Sequence, residues 1–190
     1  MIIGIIGKKG SGKDTIADYL VTNHGFIKFA FADKVKEVCK VMFNMTDKDF
    51  TEKNKEVIKP DWNISPRQAL QLFGTEICRK VLPEKIPELK KILPFPEGIW
   101  IQHFIIWYQE QLKNNPNLKV VISDVRFLDE AEIVKTYNGI LWKVLREKKI
   151  YSKDHHISEN QLDNFSEIDK IIDNNDSLDN LYQKIDNIIL

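Results

Sequence analysis

Apolar residues recur along the chain with two different periods, and their alternation predicts an α/β fold. Short runs rich in apolar residues predict strands near 2–6, 26–29, 118–123, 140–145 and 168–172. The run at 2–6 is almost uninterrupted, as is typical of a strand covered on both faces. Between them apolar residues recur with helical spacing, as at Val35, Val38 and Cys39. Strands that alternate with helical crossovers indicate a five-stranded parallel sheet with helices on both faces.

One helix carries a polar stripe beside its apolar face. Ser65 followed by Pro66 is a strong helix start, and the pattern extends to about Val81. The predicted core face contains Ala69, Leu70, Phe73, Ile77 and Val81, and the stripe contains Arg67, Gln71, Thr75 and Arg79. Arginine with an amide suits a phosphorylated acceptor that carries a hydrogen-bonding ring. A solvated helix face is the alternative.

The segment after the first strand, GKKGSGKDT at 7–15, fits the G-x-x-x-x-G-K pattern of a phosphate-binding loop. Its glycines allow successive N–H groups to surround phosphate oxygens, at the positive end of the following helix. Lys13 is expected to bridge the outer phosphates, and the Thr15 hydroxyl is expected to meet the inner ones. The predicted ATP-binding residues are Gly7, Gly10, Ser11, Gly12, Lys13, Asp14 and Thr15.

Two aspartates are predicted metal ligands. Asp14 stands where such loops usually have a Ser or Thr whose hydroxyl holds Mg²⁺. Asp124 ends the apolar run at 120–123, an arrangement by which P-loop proteins hold Mg²⁺, usually through water. The sequence leaves open whether Asp14 meets the ion directly, acts through water or orients a second substrate. It also leaves Asp124 open as a helix cap or a partner of Arg126.

Arginine is rare, with four residues among the 28 basic ones: Arg67, Arg79, Arg126 and Arg146. Arg126 and Arg146 follow predicted strands, and ligands of parallel α/β sheets collect at that edge. We predict that Lys13, Arg126 and Arg146 are catalytic cations around the phosphates. Ordinary ion pairs are the alternative for both arginines.

Composition excludes several functional classes. The 190 residues suffice for one domain with its own core, and the formal net charge of zero argues against a nucleic-acid coat or a membrane-surface protein. No apolar stretch approaches the roughly 20 residues of a transmembrane helix. The two cysteines lie among apolar residues, which favours a reducing compartment and a cytoplasmic location.

Five stretches resemble the deoxynucleoside monophosphate kinases of bacteriophages and other large DNA viruses: GKKGSGKDTIAD at 7–18, FAFADKVK at 29–36, SPRQALQLFGTEICR at 65–79, ISDVRFLDEAE at 122–132 and HHISENQLD at 155–163. The GKDT variant is usual in that family. The resemblance implies one P-loop kinase domain, 1–190, that transfers the terminal phosphate of ATP, with Mg²⁺, to a deoxynucleoside monophosphate.

The resemblance also implies how the parts of the chain divide the work. A helical insert at about 44–115 would bind the acceptor, and a lid at about 146–166 would close over the site. The implied acceptor residues are Asp33, Lys34, Arg67, Gln71, Thr75 and Arg79. A homodimer is suggested by the family alone.

Two other functions remain open at this point. One is a kinase of another small phosphorylated acceptor, such as phosphomevalonate or dephospho-coenzyme A. The other is a nucleotide-dependent switch without kinase activity. A GTP switch is disfavoured, because no Asn-Lys-x-Asp follows a buried strand and the Asn-Lys at 54–55 lies in a polar segment.

Overall fold

The structure is a computed structural model that describes residues 1–147 and 161–189. It divides into two compact units, Met1–Ala30 with Gln109–Leu190, and Phe31–Tyr108. The first unit holds the sheet and is called the sheet unit; the second is the helical unit. The single kinase domain with an acceptor-binding insert stays a prediction, and the central part of the predicted lid lies outside the described residues.

Five strands form one parallel sheet in the order β2-β3-β1-β4-β5. Their bounds are β1 Ile2–Ile6, β2 Ile27–Phe29, β3 Val120–Ile122, β4 Ile140–Leu145 and β5 Lys170–Asp173. The predicted five-stranded parallel sheet is therefore confirmed. Because all strands run the same way, the residues that follow them share one edge, as expected for a ligand site.

Helices cover both faces of this sheet. On one face Ile3 and Ile5 of β1 belong to a buried cluster that includes side chains of α1 (Lys13–His24) and α7 (Leu178–Ile189). On the other face Gly4 lies against Val134 of α6 (Leu128–Thr136) and Leu141. Every residue of β1 is buried, which explains its uninterrupted apolar run.

The turn that ends α1 is fixed by its glycine. Gly25 follows His24 with φ 70°, and its N–H donates to the carbonyl of Leu20. This left-handed conformation suits glycine and stops the helix. α1 therefore ends at His24, and the chain returns into β2 at the sheet edge.

The helical unit is built from short segments around two longer helices. It contains α2 (Phe31–Phe43), a 3-10 turn at Asp47–Phe50, α3 (Pro66–Gln71), a π-helix at Leu72–Val81, α4 (Leu82–Lys85), a second 3-10 turn at Pro87–Lys91 and most of α5 (Ile99–Asn114). α3 begins as predicted: the Ser65 hydroxyl accepts from the Gln68 N–H, and the Gln68 side chain accepts from the Ser65 N–H.

The π-helix corrects the predicted core face of this segment. Val81 is 43% exposed, and Leu70, Phe73 and Ile77 are only partly buried. Ala69 is buried as predicted, and the other buried residues are Gly74, Thr75, Cys78 and Arg79. A π-helix has a wider turn than an α-helix, so the positions on its inner face differ from those that an α-helical period predicts.

Close packing holds the π-helix inside its unit. A Cβ on Gly74 would lie 3.1 Å from a methyl of Val35, and the Gly74 carbonyl accepts a 2.8 Å hydrogen bond from the buried Trp100 indole. Cys39 and Cys78 are buried free thiols, and burial raises the pKa of each to about 11. They behave as small apolar residues rather than nucleophiles.

Candidate active site

The chain between β1 and α1 forms the predicted phosphate-binding loop. Gly10 and Gly12 adopt φ values of 70° and 104°, which other residues rarely reach. The Ser11 N–H donates to the Lys8 carbonyl at 3.1 Å and closes the turn. Among the described residues the buried Ser11 hydroxyl has no hydrogen-bond partner. A ligand oxygen in the loop would relieve that unpaired polar group.

Two glycines of the loop are required by space as well as by conformation. A Cβ on Gly7 would lie 2.8 Å from the Val144 carbonyl. A Cβ on Gly12 would overlap the side-chain amide of Asn174. The loop therefore lies tightly against the ends of β4 and β5, which limits its freedom to rearrange.

Lys13 lies inside the loop. Its side chain is buried, and its ammonium donates to the carbonyls of Gly7 at 2.5 Å and Lys8 at 2.9 Å. These two carbonyls hold the ammonium at the loop. An ammonium held in this way is placed for phosphate oxygens, which are stronger partners for it than neutral carbonyls.

Asp14 lies towards β2. Lys28 of β2 contacts the carboxylates of Asp14 at 3.1 Å and Asp18 at 2.9 Å. Burial lowers the pKa of Lys28, but the hydrogen bonds to Asp18 and Asp14 outweigh this, and the pKa lies above its ordinary value. The Asp14 side chain is 77% exposed, so its carboxylate is open to solvent and to a hydrated ion.

Backbone pairing continues past β3 and fixes Asp124. The Ser123 N–H donates to the Phe29 carbonyl of β2, and the Val125 N–H donates to the Ile5 carbonyl of β1. Asp124 lies between these two bonds at the carboxyl edge of the sheet. The sequence prediction for its position is therefore met, while its role as a metal ligand stays a prediction.

A buried carboxylate organises the turn that carries Arg126. Glu130 is 2% exposed, and its Oε2 accepts from the N–H groups of Arg126 at 2.7 Å and Phe127 at 3.2 Å. The acceptor is negatively charged and lies in the first turn of α6, where the helix dipole favours it. Glu130 thus fixes the backbone from which the Arg126 side chain extends.

A cavity of about 90 Å³ opens beside the loop within the sheet unit. Its lining includes Gly7 and three cationic residues, Lys8, Arg126 and Lys143. Asp163 is its acidic residue: its carboxylate contacts Lys8 at 2.6 Å, and its carbonyl accepts from Lys143 at 2.9 Å. Arg146 follows β4 at the same edge of the sheet and is exposed. The cavity is thus rich in cations for its size.

The polar stripe of the helical unit is more buried than a solvated helix face. Arg79 is 2% exposed and donates to the Glu97 carbonyl at 3.5 Å, and Thr75 is 5% exposed. Gln71 and Arg67 are partly buried. Arg67 pairs with the Glu56 carboxylate at 3.3 Å, and its N–H donates to the Lys55 carbonyl.

The other two predicted acceptor residues lie at the start of α2. Asp33 pairs with Lys36 at 2.7 Å, and Lys34 pairs with Glu37 at 2.9 Å. Both pairs join residues one turn apart on an exposed helix surface, where such contacts are weak. Asp33 and Lys34 are therefore open to exchange partners.

Comparison with known proteins identifies the family. A model of the family described as deoxynucleotide monophosphate kinase matches residues 1–63 and 49–185. A protein of Acanthamoeba polyphaga mimivirus, named as a putative deoxynucleotide monophosphate kinase, is 38% identical over 97% of this chain and 94% of its own length. The chain belongs to the deoxynucleotide monophosphate kinase family. It is thus a kinase, and membership implies ATP and a deoxynucleoside monophosphate as its nucleotides.

This kinase is also similar to two other proteins, one by sequence and one by structure. A protein of Fusobacterium nucleatum named as a dephospho-CoA kinase is 32% identical over 98% of this chain and 95% of its own length. A solved structure from Thermus thermophilus, titled TT1252, aligns over 100% of this chain and 96% of its own, with 16% identity and a TM-score of 0.53. The structural match supports the shared fold alone, and the P-loop kinase fold predicted from the sequence is confirmed.

The structure brings the predicted loop residues, Asp124 and Arg126 to one edge of the sheet unit of this kinase, while the predicted acceptor residues belong to the helical unit. Sequence reasoning missed Glu130, Lys143 and Asn174. Glu130 stands three residues after Phe127 at a helix start, which is a capping signal. Asn174 directly follows β5 and so lies at the same edge of the sheet as Asp124.

Proposed function

We propose that this protein transfers the γ-phosphate of ATP, with Mg²⁺, to the 5′-phosphate of a deoxynucleoside monophosphate and releases the deoxynucleoside diphosphate and ADP. The observation that carries the proposal is the loop built around Lys13, next to a cation-rich cavity that reaches Arg126. Phosphoryl transfer needs chiefly positioning and positive charge around the moving group, and this arrangement supplies both.

The sheet unit would bind ATP through its loop. N–H groups of the loop and the Ser11 hydroxyl would meet phosphate oxygens, and the Thr15 hydroxyl would meet the inner phosphates. Lys13 would exchange its two carbonyl partners for the outer phosphates. Arg126 and Arg146 would neutralise charge on the transferred group and on the acceptor phosphate.

The residues fit a magnesium ion that is held partly by the nucleotide. Asp14 and Asp124 offer carboxylate oxygens, the ligands that Mg²⁺ prefers. The described part of the chain contains no cluster of three or more His, Cys, Asp or Glu residues that would hold a metal by itself. One or two carboxylates completed by phosphates and water is how Mg²⁺ is bound in kinases. The ion would neutralise phosphate charge when bound.

The helical unit would bind the acceptor. Its polar stripe, buried or partly buried at each position, would supply Arg67 and Arg79 for the 5′-phosphate, and Gln71 and Thr75 as hydrogen-bonding groups for the base. An arginine as buried as Arg79 has already been desolvated, so a phosphate would gain more from it than from a solvated one. The α2 residues Asp33 and Lys34 would complete this site.

The test is a coupled ADP-release assay with ATP, Mg²⁺ and each of the four deoxynucleoside monophosphates. Lys13→Ala is expected to lower turnover by about a hundredfold or more, the size of losing one key transition-state charge. Lys119→Ala is the matched control, because Lys119 is an exposed lysine that belongs neither to the loop nor to a strand end of the site. ADP release without any acceptor would refute the kinase proposal and indicate an ATPase or a switch.

A second candidate acceptor is dephospho-coenzyme A, because the Fusobacterium nucleatum relative is named for it. The same assay decides between them. Turnover with dephospho-coenzyme A and with none of the four deoxynucleotides would replace the proposed acceptor. The homodimer and the cytoplasmic location stay predictions. None of the helices within 1–147 and 161–189 is long and apolar enough to cross a membrane.

A further inference from the structure

Asn174 is a buried asparagine at the end of the last strand. It directly follows β5, and its backbone N–H donates to the Leu145 carbonyl at 2.8 Å, so its position is fixed to the end of β4. Its side chain is 7% exposed. A buried side-chain amide needs hydrogen-bond partners, because leaving it unpaired is costly.

That partner is the phosphate-binding loop. The Asn174 Nδ2 donates to the Ser11 carbonyl at 2.7 Å in a buried hydrogen bond that spans 163 positions of the sequence. The absence of a side chain on Gly12 makes room for this amide, because a Cβ there would overlap it. The loop and the residue after β5 are therefore fitted to each other.

The hydrogen bond also sets the direction of a donor. A trans peptide is planar, and its C=O and N–H point in opposite directions. Because the Ser11 carbonyl points at Asn174, the Gly12 N–H of the same peptide points away from it. Asn174 thus decides which side of the loop receives this N–H, immediately before Lys13. A phosphate loop works through the directions of such groups.

We propose that Asn174 is a positioning residue for the phosphates of ATP, acting through the Ser11–Gly12 peptide. The proposal rests on the proposed kinase function in one respect, that the ligand of the loop is ATP. Without Asn174 the Ser11 carbonyl loses this hydrogen bond. The peptide can then rotate into orientations in which the Gly12 N–H no longer points at the phosphates. The expected consequence is weaker binding of the phosphates, with the acceptor site unchanged.

The neighbouring residue offers a matched control. The Asn175 amide donates to the Asp173 carboxylate, and its oxygen accepts from the Glu147 N–H. It therefore stabilises the same turn with no hydrogen bond to the loop. Asn175→Ala perturbs the turn and keeps the Asn174 bond, so it separates an effect on the turn from an effect on the loop.

The experiment compares Asn174→Asp, Asn174→Ala and Asn175→Ala. Asn174→Asp keeps the shape and replaces the donor with an acceptor that faces another carbonyl oxygen. Thermal melting first shows which variants are folded. If the buried charge of Asn174→Asp prevents folding, the binding measurements use Asn174→Ala. The binding measurement is calorimetric titration with ATP and, separately, with tripolyphosphate, which has no nucleoside.

We expect both Asn174 variants to weaken ATP and tripolyphosphate by the same factor, about tenfold, as for the loss of one buried hydrogen bond. The KM for ATP should rise by a similar factor while the KM for the acceptor stays within about twofold. Asn175→Ala should leave both ligands unaffected. The common factor is decisive, because tripolyphosphate reports on the phosphates alone.

Three outcomes would overturn the proposal. One is a loss of ATP binding with unchanged tripolyphosphate binding, which would place Asn174 at the nucleoside. Another is a lower melting temperature with unchanged binding, which would make Asn174 purely structural. The third is an equal effect of Asn175→Ala. The wild-type protein could also bind tripolyphosphate more tightly than the Asn174 variants and yet phosphorylate no deoxynucleotide. In that case the proposed function fails and this inference stands.

Discussion

Replacing Glu130 tests whether the buried carboxylate positions Arg126. Its Oε2 accepts two backbone N–H groups, from Arg126 at 2.7 Å and from Phe127 at 3.2 Å. Hydrogen bonds to a charged acceptor contribute about 1.5 kcal/mol each at the lower end of their range, so Glu130→Ala should cost about 3 kcal/mol of unfolding free energy. In a chain of this length that corresponds to a fall in melting temperature of about 6 to 12 °C.

Glu130→Gln separates the charge from the hydrogen bonds. Both N–H groups bond to the same oxygen, and the amide oxygen of glutamine can take its place. This variant should therefore keep both of these hydrogen bonds and lose the favourable interaction of the charge with the helix dipole, about 1 kcal/mol or less. Glu130→Ala instead removes the acceptor of both hydrogen bonds, so the turn should shift Arg126, and misplacement of a catalytic group by about 1 Å lowers activity on the order of a hundredfold.

The assays are urea denaturation and steady-state kinetics on both variants, with Glu132→Ala as the control. Glu132 is an exposed glutamate of α6, and its removal should change stability by no more than about 0.5 kcal/mol. We expect Glu130→Ala to lower both stability and kcat/KM, and Glu130→Gln to retain most of each. Equal stability of Glu130→Ala and Glu132→Ala would refute the reasoning about the turn.

Two further predictions concern stability. Trp100→Phe removes the donor to the Gly74 carbonyl and should cost about 1–3 kcal/mol in urea denaturation; a cost below about 0.5 kcal/mol would show that this hydrogen bond does not stabilise the fold. Burial raises the pKa of Asp169, but hydrogen bonds from the Leu141 N–H and a lysine outweigh it and hold the pKa below its ordinary value. Its contribution is therefore present above pH about 4 and lost as pH falls through the lowered pKa, so Asp169→Asn should flatten the acid limb of a stability–pH curve, and an unchanged limb would contradict this.

The parts of the fold that could be predicted from sequence are those encoded in a short window. The glycine spacing of the loop and the apolar run of β1 are local, and both predict the same structure at Lys13. The number and direction of the strands follow from their alternation with helices. The positions of Asp124 and Arg126 follow because residues after parallel strands share one edge.

The missed residues depend on tertiary packing, which the local sequence does not show. Asn174 lies in a polar run that reads locally as a turn, and its partner Ser11 lies 163 positions away. Its place after β5 was nevertheless a usable signal, because a polar residue at the carboxyl end of a parallel strand lies at the ligand edge. The sequence does not reveal that Glu130 is buried, because Asp129 and Glu132 beside it are charged as well. Only packing distinguishes Glu130 from these two neighbours.

The π-helix explains why the side chains of the polar stripe spread over a smaller angle than their spacing would give on an α-helix. In an α-helix four residues advance about 40° beyond a full turn, so the three steps from Arg67 to Arg79 would spread the stripe over about 120°. The segment from Leu72 to Val81 has the wider π turn, in which four residues fall short of a full turn. The drift reverses after Gln71, so the stripe covers a narrower arc than the same four residues would cover on an α-helix. A spacing of four residues lies between the α-helical and the π-helical period, so a segment that changes from an α-helix to a π-helix can direct such residues to one side.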